Sequence, residues 1–441
     1  MSQEKNVIFN VSAGGCLHGD IRVAGDKSMS HRAIMLGSLA QGRSEVSGFL
    51  EGEDCLATMH AFQAMGVNIE YTAGSGRVLI DGVGLHGLQS PNAALDLGNS
   101  GTSMRLMAGL CAGQQFDVTL VGDASLTKRP MRRVTDPLAR MGARILTSED
   151  GTPPLHIKGR AQLEGIDYNL PVASAQVKSC ILLAGMYAQG RTCVVEPAPT
   201  RDHTERMLGG FGYPVEREGN RICIEGGGRL TATNIHVPAD ISSAAFFMVG
   251  ASIAQDSELL LRDVGINPTR DGVITILRLM GADIHLENER EVCGEPIADI
   301  RVRSAQLHGI DIPEAEVPLA IDEFPALFVA AACAEGTTRL TGAAELRVKE
   351  SDRIQVMADG LVELGIDAQP TPDGIVIQGG RMGSGRINSH GDHRIAMSFA
   401  MAGLRASGPI IIDDCANVGT SFPDFVALAQ QSGLGITADG Q

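Results

Sequence analysis

The sequence predicts an α/β protein with helices packed on sheets, and three observations carry that prediction. Six times an apolar helical stretch ends in glycine and runs into a strand-like segment, at Gly66, Gly142, Gly212, Gly281, Gly365 and Gly433. A second series, offset from the first, places helix ends near Gly42, Gly113, Gly190, Asp256, Gly336 and Gly408. Both series recur at roughly seventy residues, a period too long for a helical solenoid, so the chain reads as six copies of one unit: helix, strand, helix, strands. Glycine just past a helix supplies the left-handed C-cap that such a junction needs.

The first unit opens with a helix at Lys27-Ser28, and its second helix ends at Gly66 before the strand residue Ile69. The next begins near Asn99-Ser-Gly101-Thr102 and closes at Gly142 before Ile145; within it Pro130 suits a first helical position, which would place Arg129 at the helix entrance. The third starts at Ser174-Ala175-Gln176, runs through the strand Thr192-Cys-Val-Val and closes at Gly212 before Val215. The fourth starts at Asp240-Ile-Ser-Ser243 and closes at Gly281 before Ile284. In the fifth, Asp322-Glu323 opens the helix and Gly365 precedes Ala368, the weakest strand signal of the set. The sixth opens at Asp392-His393-Arg394, carries the strand Ile410-Ile-Ile and closes at Gly433 before Ile436.

Six units in 441 residues exceed one core, so two domains of three units are expected. The first spans 25–238, and the second comprises 1–24 plus 239–441, with hinges near 20–25 and 237–241. The strand expected near residues 6–24 fits either half by repeat position alone; we group it with the second.

Composition narrows the function classes. The net charge of −16 argues against a nucleic-acid or anionic-membrane partner. With no Trp, four Tyr and twelve Phe, there is little for base stacking. The greasiest windows, 242–254 and 326–334, fall short of the ~18 residues that span a bilayer. The opening Met-Ser-Gln-Glu-Lys-Asn has no basic leader, so a soluble cytoplasmic protein is expected. The nine cysteines never form a CxxC pair and read as reduced core residues.

Polar residues gather at the N-terminal ends of the first helices: Lys27, Ser28, His31 and Arg32; Asn99, Gly101, Thr102 and Arg105; Ser174 and Gln176; Asp240; Asp322 and Glu323; Asp392, His393 and Arg394. Capping explains the Ser, Thr, Asp and Asn among them, but not the cations. The second helices add Lys128, Arg129, Arg132 and Arg133, then Arg201, then Arg347, Lys349 and Arg353. Cations at equivalent helix starts in an acidic chain read as a localised anion site, since helix N-termini also favour negative charge. There is no Walker loop, no GxGxxG between strand and helix, and no metal-ligand spacing; His390 and His393 near Asp392 are too few for one.

Through Gly25-Asp-Lys27-Ser28-Met-Ser-His-Arg32, Gly98-Asn99-Ser-Gly101-Thr102-Ser-Met-Arg105, Ser174-Ala175-Gln176-Val-Lys178, Arg347-Val-Lys349-Glu350-Ser-Asp-Arg353 and Asp392-His393-Arg394, the chain resembles the 5-enolpyruvylshikimate-3-phosphate synthases nearly end to end. The resemblance implies an inside-out α/β barrel in each of two domains, the enolpyruvyl transferase fold, closing on substrate. It implies transfer of the enolpyruvyl group of phosphoenolpyruvate to the 5-hydroxyl of shikimate 3-phosphate through a tetrahedral intermediate, by a monomer with no cofactor and no metal. Ser28, Arg32, Ser174, Ala175, Gln176 and Arg201 would then hold shikimate 3-phosphate, with Lys27 at the junction of both substrates. Arg129, Arg353 and Arg394, with Gln176, would hold phosphoenolpyruvate, and Gly101 would give it room. Asp322 would serve the 5-hydroxyl, Glu350 the methylene carbon, and Lys349 the reacting hydroxyl. As alternatives, Asp322 would only cap its helix and Glu350 would only pair with Arg353.

Two departures matter. Ala175 stands where many members have Ser, and no cation lies near Thr420, where they have a Lys contacting phosphoenolpyruvate. With Lys178 and Arg201 these features resemble the family's second class, some of whose members carry Ala at the place of Gly101, a change tied to glyphosate tolerance. The rival within the fold acts on UDP-N-acetylglucosamine, with Lys-Asn where this chain has Lys27-Ser28 and a loop cysteine that Asp123–Lys128 lacks. A rival of another class is a non-catalytic anion-binding module; paired Asp322 and Glu350 argue against it.

Overall fold

The computed structural model describes residues 7–440. Residues 1–6 of the expected N-terminal segment lie outside the described residues. The chain divides into two compact units, one of residues 25–237 with 292–294, the other of residues up to 24, 238–291 and 295 onward. The short piece 292–294 is the turn of a long hairpin whose strands, Asp283–Val292 and Glu295–Arg303, belong mostly to the second unit.

Within residues 25–237, three repeats each contribute two helices: α1 (Lys27–Leu39) and α2 (Glu53–Ala64), α3 (Gly101–Ala112) and α4 (Arg132–Arg140), α5 (Ala175–Gly185) and α6 (His203–Gly210). In the other unit the pairs are α7 (Ile241–Ile253) and α8 (Gly272–Leu279), α9 (Phe324–Cys333) and α10 (Arg353–Glu363), α11 (His393–Ala402) and α12 (Phe425–Ser432). The first helix of each pair is buried almost all round; every residue of α7 is buried. A helix apolar on all faces needs a core on all sides. Helices α7, α9 and α11 accordingly pack on one another inside their unit, and one contiguous apolar core surrounds them. The second helices are amphipathic: α10 buries Ile354, Met357, Ala358 and Leu361 on one face.

Each repeat builds one sheet. In the second, Leu95–Asp96 runs parallel to Val118–Val121, which pairs antiparallel with Leu155–Lys158, which pairs antiparallel with Arg144–Leu146. The parallel pair is joined across α3, as a βαβ crossover requires. Strand Leu155–Lys158 alternates buried and exposed residues, so one face of this sheet is covered and the other faces water. The same order recurs in the other sheets, and in the fifth the parallel lead strand shrinks to the single bridges His308↔Glu335 and Asp311↔Arg339.

The six glycines after the second helices all have positive φ, from 76° at Gly212 to 115° at Gly433. Elsewhere the structure differs from the sequence reading. α1 stops at Leu39, and Gly42 lies inside the strand Ala40–Ser47 opposite Gly82. α4 begins at Arg132 with Met131 as its N-cap, so Pro130 precedes the helix and Arg129 ends the short 3₁₀ turn Leu126–Lys128. Fixed φ suits a proline at such a turn exit as well as at a first helical position.

The cysteines need the largest correction. Cys193 and Cys223 form a disulfide, while the other seven lie outside any disulfide among the described residues. The two stand directly opposite on Arg191–Val195 and Arg221–Glu225, a register that sequence spacing does not reveal. Nor is the cysteine set uniformly core: Cys293 is exposed, whereas burial pushes the thiols of Cys111 and Cys180 up to about 12, which leaves them inert.

Candidate active site

In the unit of residues 25–237 the cationic side chains stand at the N-terminal ends of the buried helices. Asp26 caps α1 by accepting from Met29 N at 2.8 Å, which leaves Ser28 uncommitted to capping. Lys27 Nζ lies 2.5 Å from Asp54 Oδ2 on α2. Arg32, one turn further on, is buried. Its Nε donates to Thr204 Oγ1 at 2.7 Å, Nη2 to Ser179 Oγ at 2.9 Å and Nη1 to the Ser28 carbonyl at 2.9 Å, so it ties α1 to α5 and α6. Beside it, His31 is fully buried, with Nδ1 2.8 Å from Thr58 Oγ1; desolvation first, then Lys27 and Arg32, hold its pKa well below the usual value.

A second group forms around Gly101. Ser100 caps α3, and Gly101 occupies its first turn. Arg105 Nη1 donates to Gln176 Oε1, while Gln176 Nε2 donates to Thr102 Oγ1 at 3.1 Å. Arg129 Nη2 donates to Asn99 Oδ1 at 2.8 Å. A Cβ on residue 101 would lie 3.1 Å from Arg129 Nη1 and 3.2 Å from Arg105 Nη1. Two guanidiniums and an amide thus converge on one helix start, an arrangement suited to an anion. Ser174 caps α5 by accepting from Val177 N, Ala175 opens that helix, and Arg201 is part-buried just before α6.

In the other unit the centre is Arg353, only 1% exposed, which contacts three carboxylates. Nε donates to Asp392 Oδ2 at 2.8 Å, Nη2 to Glu350 Oε2 at 2.7 Å and Nη1 to Asp322 Oδ1 at 3.3 Å. Lys349 Nζ also lies 3.3 Å from Asp322 Oδ1. Arg394 Nη1 donates to the Asp322 carbonyl at 2.8 Å and lies 3.5 Å from Glu323 Oε1. Burial alone would raise the pKa of Asp392, but the charge and hydrogen bond of Arg353 together with His393 hold the carboxyl below its ordinary value. The same three carboxylates, Asp392 foremost, outweigh desolvation at Arg353 and keep the guanidinium charged.

Asp322 does not cap its helix: the N-cap position of α9 is Glu323, without a side-chain cap, and Asp322 turns instead to Lys349 and Arg353. Glu350 does pair with Arg353. Thr420 donates to the Asn417 carbonyl at 2.7 Å within its own turn and supplies no cation. Sequence reasoning missed Asp54, Thr204, Ser179 and the anchoring role of Asp392, because each meets its partner from a different helix or repeat. Among the described residues no group of three or more His, Cys, Asp or Glu is placed to hold a metal ion, and no helix is long and apolar enough to cross a membrane.

A family model described as EPSP synthase (3-phosphoshikimate 1-carboxyvinyltransferase) matches residues 11–428. A 3-phosphoshikimate 1-carboxyvinyltransferase of Methylococcus capsulatus (strain Bath) is 69% identical over 433 residues, 98% of this chain and 99% of that one. The solved EPSP synthase from Acinetobacter baumannii is 60% identical with a TM-score of 0.90, covering 98% of this chain and 100% of its own. The enolpyruvyl transferase NikO from Streptomyces tendae, 15% identical, superposes with a TM-score of 0.79 over 99% of this chain and 100% of its own, a likeness of fold alone.

Proposed function

The chain belongs to the EPSP synthase (3-phosphoshikimate 1-carboxyvinyltransferase) family, and from that membership we propose which of its residues carry each part of the reaction. The enzyme transfers the enolpyruvyl group of phosphoenolpyruvate to the 5-hydroxyl of shikimate 3-phosphate and releases phosphate. Both substrates are anions. Lys27, Ser28, Arg32, Ser174, Ala175, Gln176 and Arg201 hold shikimate 3-phosphate, Arg32 by fixing the Ser28 carbonyl. Arg129, Arg353 and Arg394 hold phosphoenolpyruvate with Lys27 and Gln176, and Gly101 leaves it space. No metal or cofactor enters this reading, and the enzyme works as a cytoplasmic monomer.

The observation that carries catalysis, as opposed to anion binding, is the placement of Asp322 and Glu350, two of the three carboxylates on Arg353. Like charge would repel an anionic ligand, so a binding module gains nothing from Asp322 and Glu350 beside it. A transferase needs both: one proton leaves the 5-hydroxyl as its oxygen attacks C2, and one arrives on the methylene carbon. Asp322, 16% exposed and held near Lys349 and Arg353, accepts the hydroxyl proton. Glu350, 30% exposed, supplies the proton that the methylene receives. When phosphate leaves the tetrahedral intermediate, Glu350 takes a proton back from the methyl group and the proton held on Asp322 passes to the departing phosphate, so both carboxyls return to their starting states.

The test is phosphate release from phosphoenolpyruvate with shikimate 3-phosphate as acceptor, set beside UDP-N-acetylglucosamine. Release is expected with the first alone. Turnover with the sugar nucleotide would transfer the reading to the rival, and binding of shikimate 3-phosphate without turnover would leave a binding module.

A further inference from the structure

Lys178 is fully buried on α5, and the reaction as described gives it no task. Its Nζ lies 2.9 Å from Glu196 Oε1 and 2.7 Å from Glu205 Oε1, and donates to the Thr200 carbonyl at 3.4 Å. Glu196 is fully buried and Glu205 nearly so. The hydroxyl of Thr200 also donates to Glu196. One ammonium therefore faces two buried carboxylates, with the part-exposed Arg217 3.8 Å from the far oxygen of Glu196. Apart from Lys178, neither carboxylate oxygen of Glu205 has a partner among the described residues, so Lys178 is the countercharge that lets it stay buried.

The position of this cluster gives it a use. Thr200 immediately precedes Arg201, and Glu205 sits in the first turn of α6 just after it. Lys178 thus pins the chain on both sides of Arg201. The residue before Glu205, Thr204, receives Arg32 Nε and shares a 2.7 Å hydrogen bond with Ser179. The segment is anchored at its start as well, where Glu196 N donates to the Asn220 carbonyl at 2.9 Å and Asn220 Nδ2 donates back to the Glu196 carbonyl at 2.8 Å.

We propose that Lys178 is a positioning residue for shikimate 3-phosphate, holding the segment 196–205 so that Arg201 is presented to the substrate's phosphate. The proposal rests on the assignment of Arg201 to that substrate. A buried ammonium between two carboxylates is costly to assemble and costly to break, which makes it a stiff anchor for a loop that must offer a long flexible side chain in one place.

A double-mutant cycle on the full chain tests it, reading the Kd of shikimate 3-phosphate by calorimetry and both KM values by phosphate release. Lys178→Met is expected to weaken shikimate 3-phosphate about tenfold while the KM for phosphoenolpyruvate moves less than about twofold. In an Arg201→Ala background the same substitution should add less than about twofold, because the residue it acts through is gone. A merely structural role predicts multiplying effects and equal losses for both substrates, and either result overturns the proposal. If Lys178→Met does not fold, Glu205→Gln takes its place in the cycle. That variant keeps the Lys178–Glu196 pair, and about a threefold loss, absent in the Arg201→Ala background, is expected. Unchanged shikimate 3-phosphate affinity in Arg201→Ala itself would instead overturn the assignment of Arg201 on which the proposal stands.

Discussion

A methyl group at residue 101 would approach two guanidinium nitrogens, Arg129 Nη1 at 3.1 Å and Arg105 Nη1 at 3.2 Å, closer than comfortable van der Waals contact. Neither arginine is loose, since Asn99 holds one and Gln176 the other. Gly101→Ala should therefore push Arg129 aside and intrude on the space we assign to phosphoenolpyruvate. Overpacking of this kind costs about 1–3 kcal/mol and falls harder on a longer ligand. The inhibition constant for glyphosate should rise by more than the KM for phosphoenolpyruvate; equal losses would mean that Gly101 does not shape this pocket. The two carboxylates are tested by isosteres. Asp322→Asn and Glu350→Gln keep volume but lose proton transfer, and each should lower kcat by about 10²-fold with shikimate 3-phosphate binding largely kept. Near-normal turnover in Glu350→Gln would reduce that residue to an ion-pair partner of Arg353. Residue identities at the site were readable because they sit in contiguous motifs. That Arg105 and Arg129 both lie over Gly101 was not, because the contact joins a helix to a turn some thirty residues away.

Helix N-caps link the repeats to the chemistry. Asp26, Ser100, Ser174, Asp240 and Asp392 cap the buried helices α1, α3, α5, α7 and α11, whereas α9 has no side-chain cap and its Asp322 is released for other work. Asp392 does two jobs, accepting from Arg394 N at 3.0 Å and pairing with buried Arg353. Asp392→Asn separates them: asparagine caps as well as aspartate, but the charge opposite Arg353 is gone. Breaking a buried pair costs about 3–5 kcal/mol, with the low end expected here because Asp322 and Glu350 remain. Asp392→Ala should lose about 1 kcal/mol more with the cap, as chemical denaturation near neutral pH can measure. The pH dependence follows in sign. Asp392 titrates below its ordinary range when folded, so the unfolded chain binds the proton first as pH falls. Its stabilisation is full above the ordinary carboxylate range and is lost as pH falls from there through the lower pKa of the folded state; Asp392→Asn should flatten that acid limb. Element boundaries that depend on backbone conformation, such as the six left-handed glycines, were legible locally. Pro130 misled because a fixed φ serves a turn exit as well as a helix start, and the Cys193–Cys223 pairing depends on strand register.

At the scale of the molecule, the two units close in different ways. Residues 25–237 contain every strand of their three sheets. The lead strand of the first sheet comes from the far end, where Leu230–Thr231 and Ile235–His236 run parallel to Ala40–Ser47. The other unit is assembled from both ends of the chain. Val7–Val11 lies inside the sixth sheet, between Ile410–Asp413 and Ile436–Gly440, and His18–Ile21 leads the fourth beside Glu258–Gly265. We therefore expect a fragment of residues 25–237 to fold alone with a cooperative thermal transition. A fragment beginning at Pro238 should not, because it leaves interior strand edges unpaired and the apolar side chains of Phe9 and Val11 unreplaced. Addition of a peptide spanning residues 1–24 should restore structure by circular dichroism. A folded 238–441 fragment would show that the N-terminal strands are dispensable.

The sequence alone determined the repeat, the two-helix unit, the cationic helix starts and the family motifs, because all of these are written in local periodicity and in contiguous residues. It gave no local reason for grouping the first strand with the second half, did not show which carboxylates bind which cations, and misread Cys193 and Cys223 as reduced. Those questions concern contacts between residues hundreds of positions apart, such as Val11 with Ile410, or between strands whose register shifts partners by single residues. Tertiary structure decided them through burial: Arg353 and Lys178 look alike in sequence to the solvated cations around them. Only the fold shows that each is sealed from water among carboxylates, because burial is a property of the assembled core and not of the chain segment that enters it.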